Sequence, residues 1–264
     1  MANRRGFWGS VAGMLGFIWG LAGSTFAWIY NLFRASANAA LKGVRKPRVK
    51  PGYLELRPVK VVEGSVESFE EKLLGSKSTV GLILGARGSG KSALGMRILE
   101  NVHAKSGRAV CAMGFAEDKL PGWVKAVRRI EEVKNGSFVL VDEGGVLFSS
   151  RDSMSDANKL LSALLVVARH KDLSILFISQ NSANLDVNAI RQADYLLLKK
   201  SSLLQKDFER KRIRDIYEEA ERSLGKDAGA EATYVYSDEL RGVVENGLPS
   251  FWSEGVSKSF KNLN

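Results

Sequence analysis

In Gly85-Ala86-Arg87-Gly88-Ser89-Gly90-Lys91-Ser92, four positions separate the first glycine from a glycine, a lysine and a hydroxyl residue. Glycines at this spacing let backbone N–H groups curl around a phosphate at a helix N-terminus, where the helix dipole favours anions. Lys91 would reach the β- and γ-phosphates of a nucleoside triphosphate, and the Ser92 hydroxyl would hold Mg²⁺. Downstream, Phe138-Val139-Leu140-Val141-Asp142-Glu143 is an apolar run that ends in two carboxylates. Asp142 is placed to complete the Mg²⁺ shell, and Glu143 to orient or deprotonate an attacking water. Together they point to binding and hydrolysis of a triphosphate.

Such a loop works only between a strand and a helix. An apolar run from Val80 to Leu84 precedes it and a helix-forming run follows. The coarse pattern predicts strands at 79–84, 108–113, 138–143, 174–179 and 195–199. It predicts helices at 92–104, 123–130, 155–169 and 205–224, and an edge strand at 233–236. Strands alternating with helices argue for a parallel sheet covered on both faces.

Composition narrows the chemistry further. One cysteine, Cys111, excludes an intramolecular disulfide, and two histidines are too few for a histidine-based metal site. A formal charge of +10 favours a polyanionic partner, either nucleic acid or an anionic lipid surface. The run 205–224 would place Lys206, Arg210, Lys211, Arg212 and Arg214 in its first half, with Phe208, Ile216, Tyr217 and Ala220 as its apolar side.

Residues 7–33 carry no charge. As a helix they would span roughly 40 Å, against a hydrocarbon core of about 30 Å, enough to cross a bilayer with tilt. Trp8 near one end and Trp28 and Tyr30 near the other suit the lipid–water interface. Gly9, Gly13, Gly16, Gly20, Gly23 and Ala27 fall on one face, the kind of small-residue surface along which helices pack in lipid. A cleaved signal peptide fits less well: the apolar stretch is long, and Thr25-Phe26-Ala27 is a poor cleavage site. Basic residues are heavier after the span, which predicts a single pass with the C-terminal bulk in the cytoplasm. The membrane could be a host cell's or a virion's internal one. Expected divisions are a transmembrane anchor (1–33), a basic linker and lead-in (34–74), an ATPase core (75–200) and a C-terminal helical and edge-strand extension (201–264).

A third polar feature is the strand run 173–180 ending in Ser179-Gln180, preceded by Ala168-Arg169-His170 and followed by Leu185 to Asp194. With the two acidic and phosphate-loop motifs, the stretch from Val80 to Lys200 resembles the FtsK–HerA superfamily of DNA-pumping ATPases. Among these it is similar to viral genome-packaging ATPases and to the Zot-type assembly ATPases of filamentous phages. The resemblance implies a RecA/ASCE-like P-loop NTPase, preceded here by one N-terminal transmembrane helix. It implies that the strand bearing Gln180 lies between the strands of the two nucleotide motifs, with Gln180 facing the γ-phosphate. It also implies an arginine supplied by a neighbouring subunit; Arg151, Arg169 and Arg191 are the candidates, with Arg191 preferred.

The implied function is a membrane-anchored, ATP- and Mg²⁺-dependent DNA translocase, a hexameric ring acting on double-stranded DNA for genome packaging, in company with viral structural proteins. One alternative is a Zot-like ATPase that drives virion extrusion. Another is a nucleotide-gated membrane scaffold without turnover, against which the Asp142-Glu143 pair argues. A guanine-reading N-K-x-D motif is absent, so ATP is expected rather than GTP.

Overall fold

Five consecutive apolar or small residues, Val80–Leu84, are all buried, and so are the six of Ser174–Ser179. Continuous burial of this kind requires helices on both faces of the sheet, because successive side chains point to opposite sides. The computed structural model describes residues 46–144, 154–182, 185, 187–202, 209–225 and 228–257. The predicted span 7–33, its orientation and Arg151 lie outside the described residues. Among the described residues, no helix is long and apolar enough to cross a membrane.

The strands are β1 (Arg57–Gly64), β2 (Val80–Leu84), β3 (Val110–Met113), β4 (Val124–Ala126), β5 (Phe138–Asp142), β6 (Ser174–Ser179), β7 (Tyr195–Leu198), β8 (Ala232–Ser237) and β9 (Leu240–Glu245). The helices are α1 (Val66–Gly75), α2 (Lys91–Ser106), α3 (Met154–Lys171), α4 (Val187–Arg191), α5 (Lys211–Leu224) and α6 (Glu254–Ser257). All nine strands form one sheet in the order β1-β9-β8-β7-β2-β6-β5-β3-β4. From β7 to β4 the pairing is parallel; β8, β9 and β1 extend it antiparallel. The fold is mixed α/β, consistent with a P-loop NTPase.

The alternation along the strands sorts the core into two layers. Leu82, Leu84, Val139, Val141 and Phe177 pack with Leu161 and Leu164 of α3 and Ile213, Ile216 and Tyr217 of α5. Ile83, Leu140, Leu176 and Ile178 face the other way, against Phe69 of α1 and Leu94, Ile98 and Leu99 of α2.

Three expectations need correction. The helix predicted at 123–130 is the short strand β4 followed by a single helical turn, Ile130–Glu132. Pro121-Gly122 opens it; Val124 and Val127 are buried three positions apart, a spacing that suits a helix, and it is the parallel pairing of Val124–Ala126 with β3 that makes the segment a strand. The strand expected at an edge near 233–236 is interior: β8 lies between β7 and β9. The sheet is also not wholly parallel, since the β8–β9 hairpin and β1 run against their neighbours.

Within the stretch predicted as linker, β1 and α1 are ordered, and 46–56 forms a strap across α2. Leu54 exchanges hydrogen bonds with the Asn101 amide, its N–H donating at 3.0 Å and its carbonyl accepting at 2.7 Å. The Gly52 N–H donates to Glu100 at 2.9 Å, and Trp123 Nε1 donates to the Val49 carbonyl. The far end of the chain reaches the same helix: the Ser250 N–H donates to Glu100 at 2.9 Å, and Arg97 donates to the Leu248 carbonyl. Arg97, Glu100 and Asn101 are therefore buried polar residues that tie two distant segments to α2.

Candidate nucleotide site

The loop between β2 and α2 turns on backbone that favours glycine. Gly88 has φ +78° and Gly90 φ +91°, both in the left-handed region. A Cβ on Gly88 would meet nothing within 4 Å, so the backbone there faces open space. At Gly90, by contrast, a Cβ would lie 2.7 Å from the Ala230 carbonyl oxygen. The Ala86 N–H donates to Lys200 O at 3.0 Å and fixes the entry to the loop, while Arg87 at its tip is exposed. Ser89 Oγ is buried without a protein partner among the described residues. A phosphate fits this cradle: left-handed glycines, an orphaned hydroxyl and a helix N-terminus converge on it.

Lys91 is buried, and its ammonium donates to the carbonyls of Gly85 and Ala86, each at 2.8 Å. Burial pushes its pKa down to about 8, against the pull of the Asp142 and Glu143 carboxylates. Ser92 Oγ donates to Asp142 at 3.1 Å across from the end of β5. Two hard oxygen ligands side by side suit Mg²⁺, which characteristically takes one carboxylate, a hydroxyl and substrate phosphate.

Glu143, the next residue, is buried, and it accepts from Ser179 Oγ at 2.5 Å and from the Gln180 backbone N–H. Burial raises its pKa above the ordinary carboxylate value, and the Ser179 hydrogen bond opposes that rise. The order β2-β6-β5 places the strand ending in Ser179-Gln180 between the other two, as the resemblance implies. Lys91, Ser92, Asp142, Glu143 and Gln180 thus share the C-terminal edge of three adjacent parallel strands, where open α/β sheets bind ligands.

The arginine candidates stand apart from this group. Arg191 ends α4 and Arg169 lies in the last turn of α3; both are exposed.

None of the family models matches the chain, and no curated protein matches it. Similar solved structures include the DNA-packaging ATPase of Sulfolobus turreted icosahedral virus, 16% identical, covering 65% of this chain and 98% of that one with a TM-score of 0.44. The N-terminal domain of zonular occludens toxin from Neisseria meningitidis is 20% identical, covering 46% and 76% with a TM-score of 0.32. ATPases 2 and 3 of EssC from Geobacillus thermodenitrificans are 11% identical, covering 83% and 51% with a TM-score of 0.44. The first two are of the kinds that the run from Val80 to Lys200 resembles. At such identities and scores, the residues of this chain carry its chemistry.

Two neighbours of the site escape a reading of the sequence alone. Ser179 lies in the run 173–180, where a hydroxyl ending an apolar strand is the available signal. Lys199 follows β7 and is 1% exposed. Its Nζ donates to Ala230 O at 2.7 Å, Ala232 O at 3.2 Å and Asn246 Oδ1 at 3.0 Å. Burial pushes its pKa down to about 7, opposed by Glu231. Since Lys199 N–H also donates to Leu84 O at 2.8 Å, this residue joins the strand before the phosphate loop to the turn that touches Gly90.

The predicted basic helix is described from Lys211, and Ile216, Tyr217 and Ala220 form its buried side as expected. Arg210, just before it, binds the carbonyls of Ser182 and Leu185. Buried Glu209 accepts from Ser182 N–H at 3.1 Å and from its hydroxyl. The loop after Gln180 is thereby pinned to the start of α5, whose Lys211 and Arg212 are exposed.

Proposed function

We propose that the chain is an Mg²⁺-dependent ATPase that moves DNA, of the genome-packaging kind. In this reading it is anchored in a membrane by residues 7–33 and works as a hexameric ring. The observation that carries the hydrolytic part is the junction of Ser92 with Asp142 at 3.1 Å, beside a buried Glu143 held by Ser179. A nucleotide-binding scaffold has no need of a buried carboxylate next to the metal-ligand pair.

In this mechanism the loop N–H groups and Lys91 hold the β- and γ-phosphates, Lys91 exchanging its carbonyl partners for phosphate oxygens. Ser92 and Asp142 would hold Mg²⁺, which offsets the phosphate charge. Glu143 takes a proton from water as the water oxygen bonds to the γ-phosphorus. The bond from that phosphorus to the bridging oxygen breaks, and ADP leaves with the electron pair. A carboxylate whose pKa is raised by burial is a better base for this step than an exposed one. Gln180 stands at the end of the neighbouring strand β6, next to Ser179, and Ser182–Glu209–Arg210 link its loop to α5, where Lys211, Arg212 and the net charge of +10 favour a nucleic-acid partner. Arg191 is the arginine proposed to act on a neighbour's site.

The test is ATP turnover by the full chain with and without double- and single-stranded DNA, beside Glu143→Gln. Stimulation by double-stranded DNA that disappears in the variant supports the reading. Turnover indifferent to DNA removes the translocase and leaves an ATPase; absence of turnover removes both.

A further inference from the structure

Beyond the phosphate loop, a cavity of about 580 Å³ opens between the strap and the turn after β9. Its size is that of a small-molecule site. Leu54 and Pro58 form one wall, and Glu231, Glu245 and Gly247 the other. We propose that it receives the nucleoside half, base and ribose, of the nucleotide whose phosphates lie on the Gly85–Ser92 loop. This rests on the nucleotide reading given above.

Position is the first argument. The strand ends Leu84, Leu198, Ala232, Glu245 and Arg57 all lie on one edge of the sheet, as their pairings require. β9 is three strands from β2, roughly 14 Å. The gap is bridged at its middle: the Ala230 carbonyl abuts Gly90, and the next residue, Glu231, lines the cavity. Lys199 Nζ fixes this bridge, since it holds Ala230 O and the side chain of Asn246, another lining residue, at once. The strap also hydrogen-bonds α2 through Leu54, so both walls are attached to the helix that starts at Lys91.

Chemistry is the second. Three carboxylates, Glu55, Glu231 and Glu245, border the cavity with a single guanidinium, Arg57, which is already paired with Glu245. Such a lining repels phosphate and accepts hydrogen bonds from neutral donors, as ribose hydroxyls and an exocyclic base amine are. Exposed Leu54 offers an apolar surface for a ring face. An occupant that is flat, apolar on its faces and rich in neutral donors, yet tethered to an anion at the phosphate loop, is a nucleoside.

The experiment compares ATP with inorganic tripolyphosphate, each with Mg²⁺, on the full chain and on Leu54→Trp, which fills the cavity from an exposed position. In the native chain ATP binds at least about tenfold more tightly than tripolyphosphate. Leu54→Trp brings ATP to the tripolyphosphate level and leaves tripolyphosphate where it was, and Glu231→Gln weakens ATP alone. An 8-azido-ATP photoprobe labels residues 54–58 or 245–247. Equal binding of the two ligands by the native chain overturns the inference, as does ATP affinity indifferent to Leu54→Trp with the label elsewhere. If neither ATP nor tripolyphosphate binds the native chain, the nucleotide reading falls and takes this one with it.

Discussion

Ser179 Oγ donates a 2.5 Å hydrogen bond to the Glu143 carboxylate, across the ends of two neighbouring parallel strands. The bond stabilises the charged form of a group that burial pushes toward neutrality.

Replacing Ser179 by Ala removes that donor, so the Glu143 pKa climbs further. A base must be deprotonated to act, and activity falls as pH drops through its pKa. The acid limb of the kcat profile should therefore move to higher pH in Ser179→Ala. A profile recorded from pH 5 to 8 checks this, and an unmoved limb would detach Ser179 from Glu143 function.

Glu143→Gln keeps the shape of the side chain and loses the base. Turnover should fall by about 10²- to 10⁴-fold while nucleotide affinity stays within a few-fold. Single-turnover and equilibrium binding measurements separate the two.

Lys199→Met leaves the carbonyls of Ala230 and Ala232 and the Asn246 amide oxygen without their shared donor. Asn246 keeps the Thr233 hydroxyl as a donor at 3.0 Å, while each of the two backbone carbonyls left without the ammonium costs about 1–3 kcal/mol, so urea unfolding should reveal a substantial loss. The pH dependence supplies a sharper readout. With a folded-state pKa of about 7 against an ordinary 10.5, the unfolded chain binds more protons between those values. Stability of the nucleotide-free protein should rise with pH across that window. Lys91, at about 8, adds to the upper part of the rise in both proteins, whereas the part beginning near 7 should be missing from the variant.

Glu100 is wholly buried and accepts from Gly52, Ser250 and Arg97. Glu100→Ala strands a buried guanidinium as well as two backbone donors. The expected loss is about 3–5 kcal/mol in chemical denaturation, with the m-value unchanged. A loss below about 1 kcal/mol would mean that water takes over these partners without strain.

Much of the site was legible because its residues announce themselves locally. The phosphate loop has a fixed spacing, and β2, β5 and β6 are unbroken apolar runs whose ends carry the polar groups. The strand order around β6 came from a resemblance rather than from periodicity, which cannot assign neighbours. For the same reason β8 read as an edge. β1 was missed because all eight of its residues are exposed and it mixes valines with Arg57, Lys60 and Glu63, so no alternation marks it. β4 was misread because its three paired residues are too few to establish a period. Lys199 gave no sign at all: a lysine ending an apolar run normally meets water, and only the tertiary fold brings three carbonyl oxygens to it.

The strap and the turn at 248–250 grip the same face of α2, and Glu100 is separated from Ser250 by 150 positions. Synthesis delivers the chain from its N-terminus. The phosphate loop is therefore made early, yet the helix behind it lacks its last partners until Ser250 has left the ribosome. Because Ala230 also has to arrive against Gly90, the seat for a phosphate becomes rigid only in the finished unit, and a nascent or prematurely terminated chain holds the motif without the site.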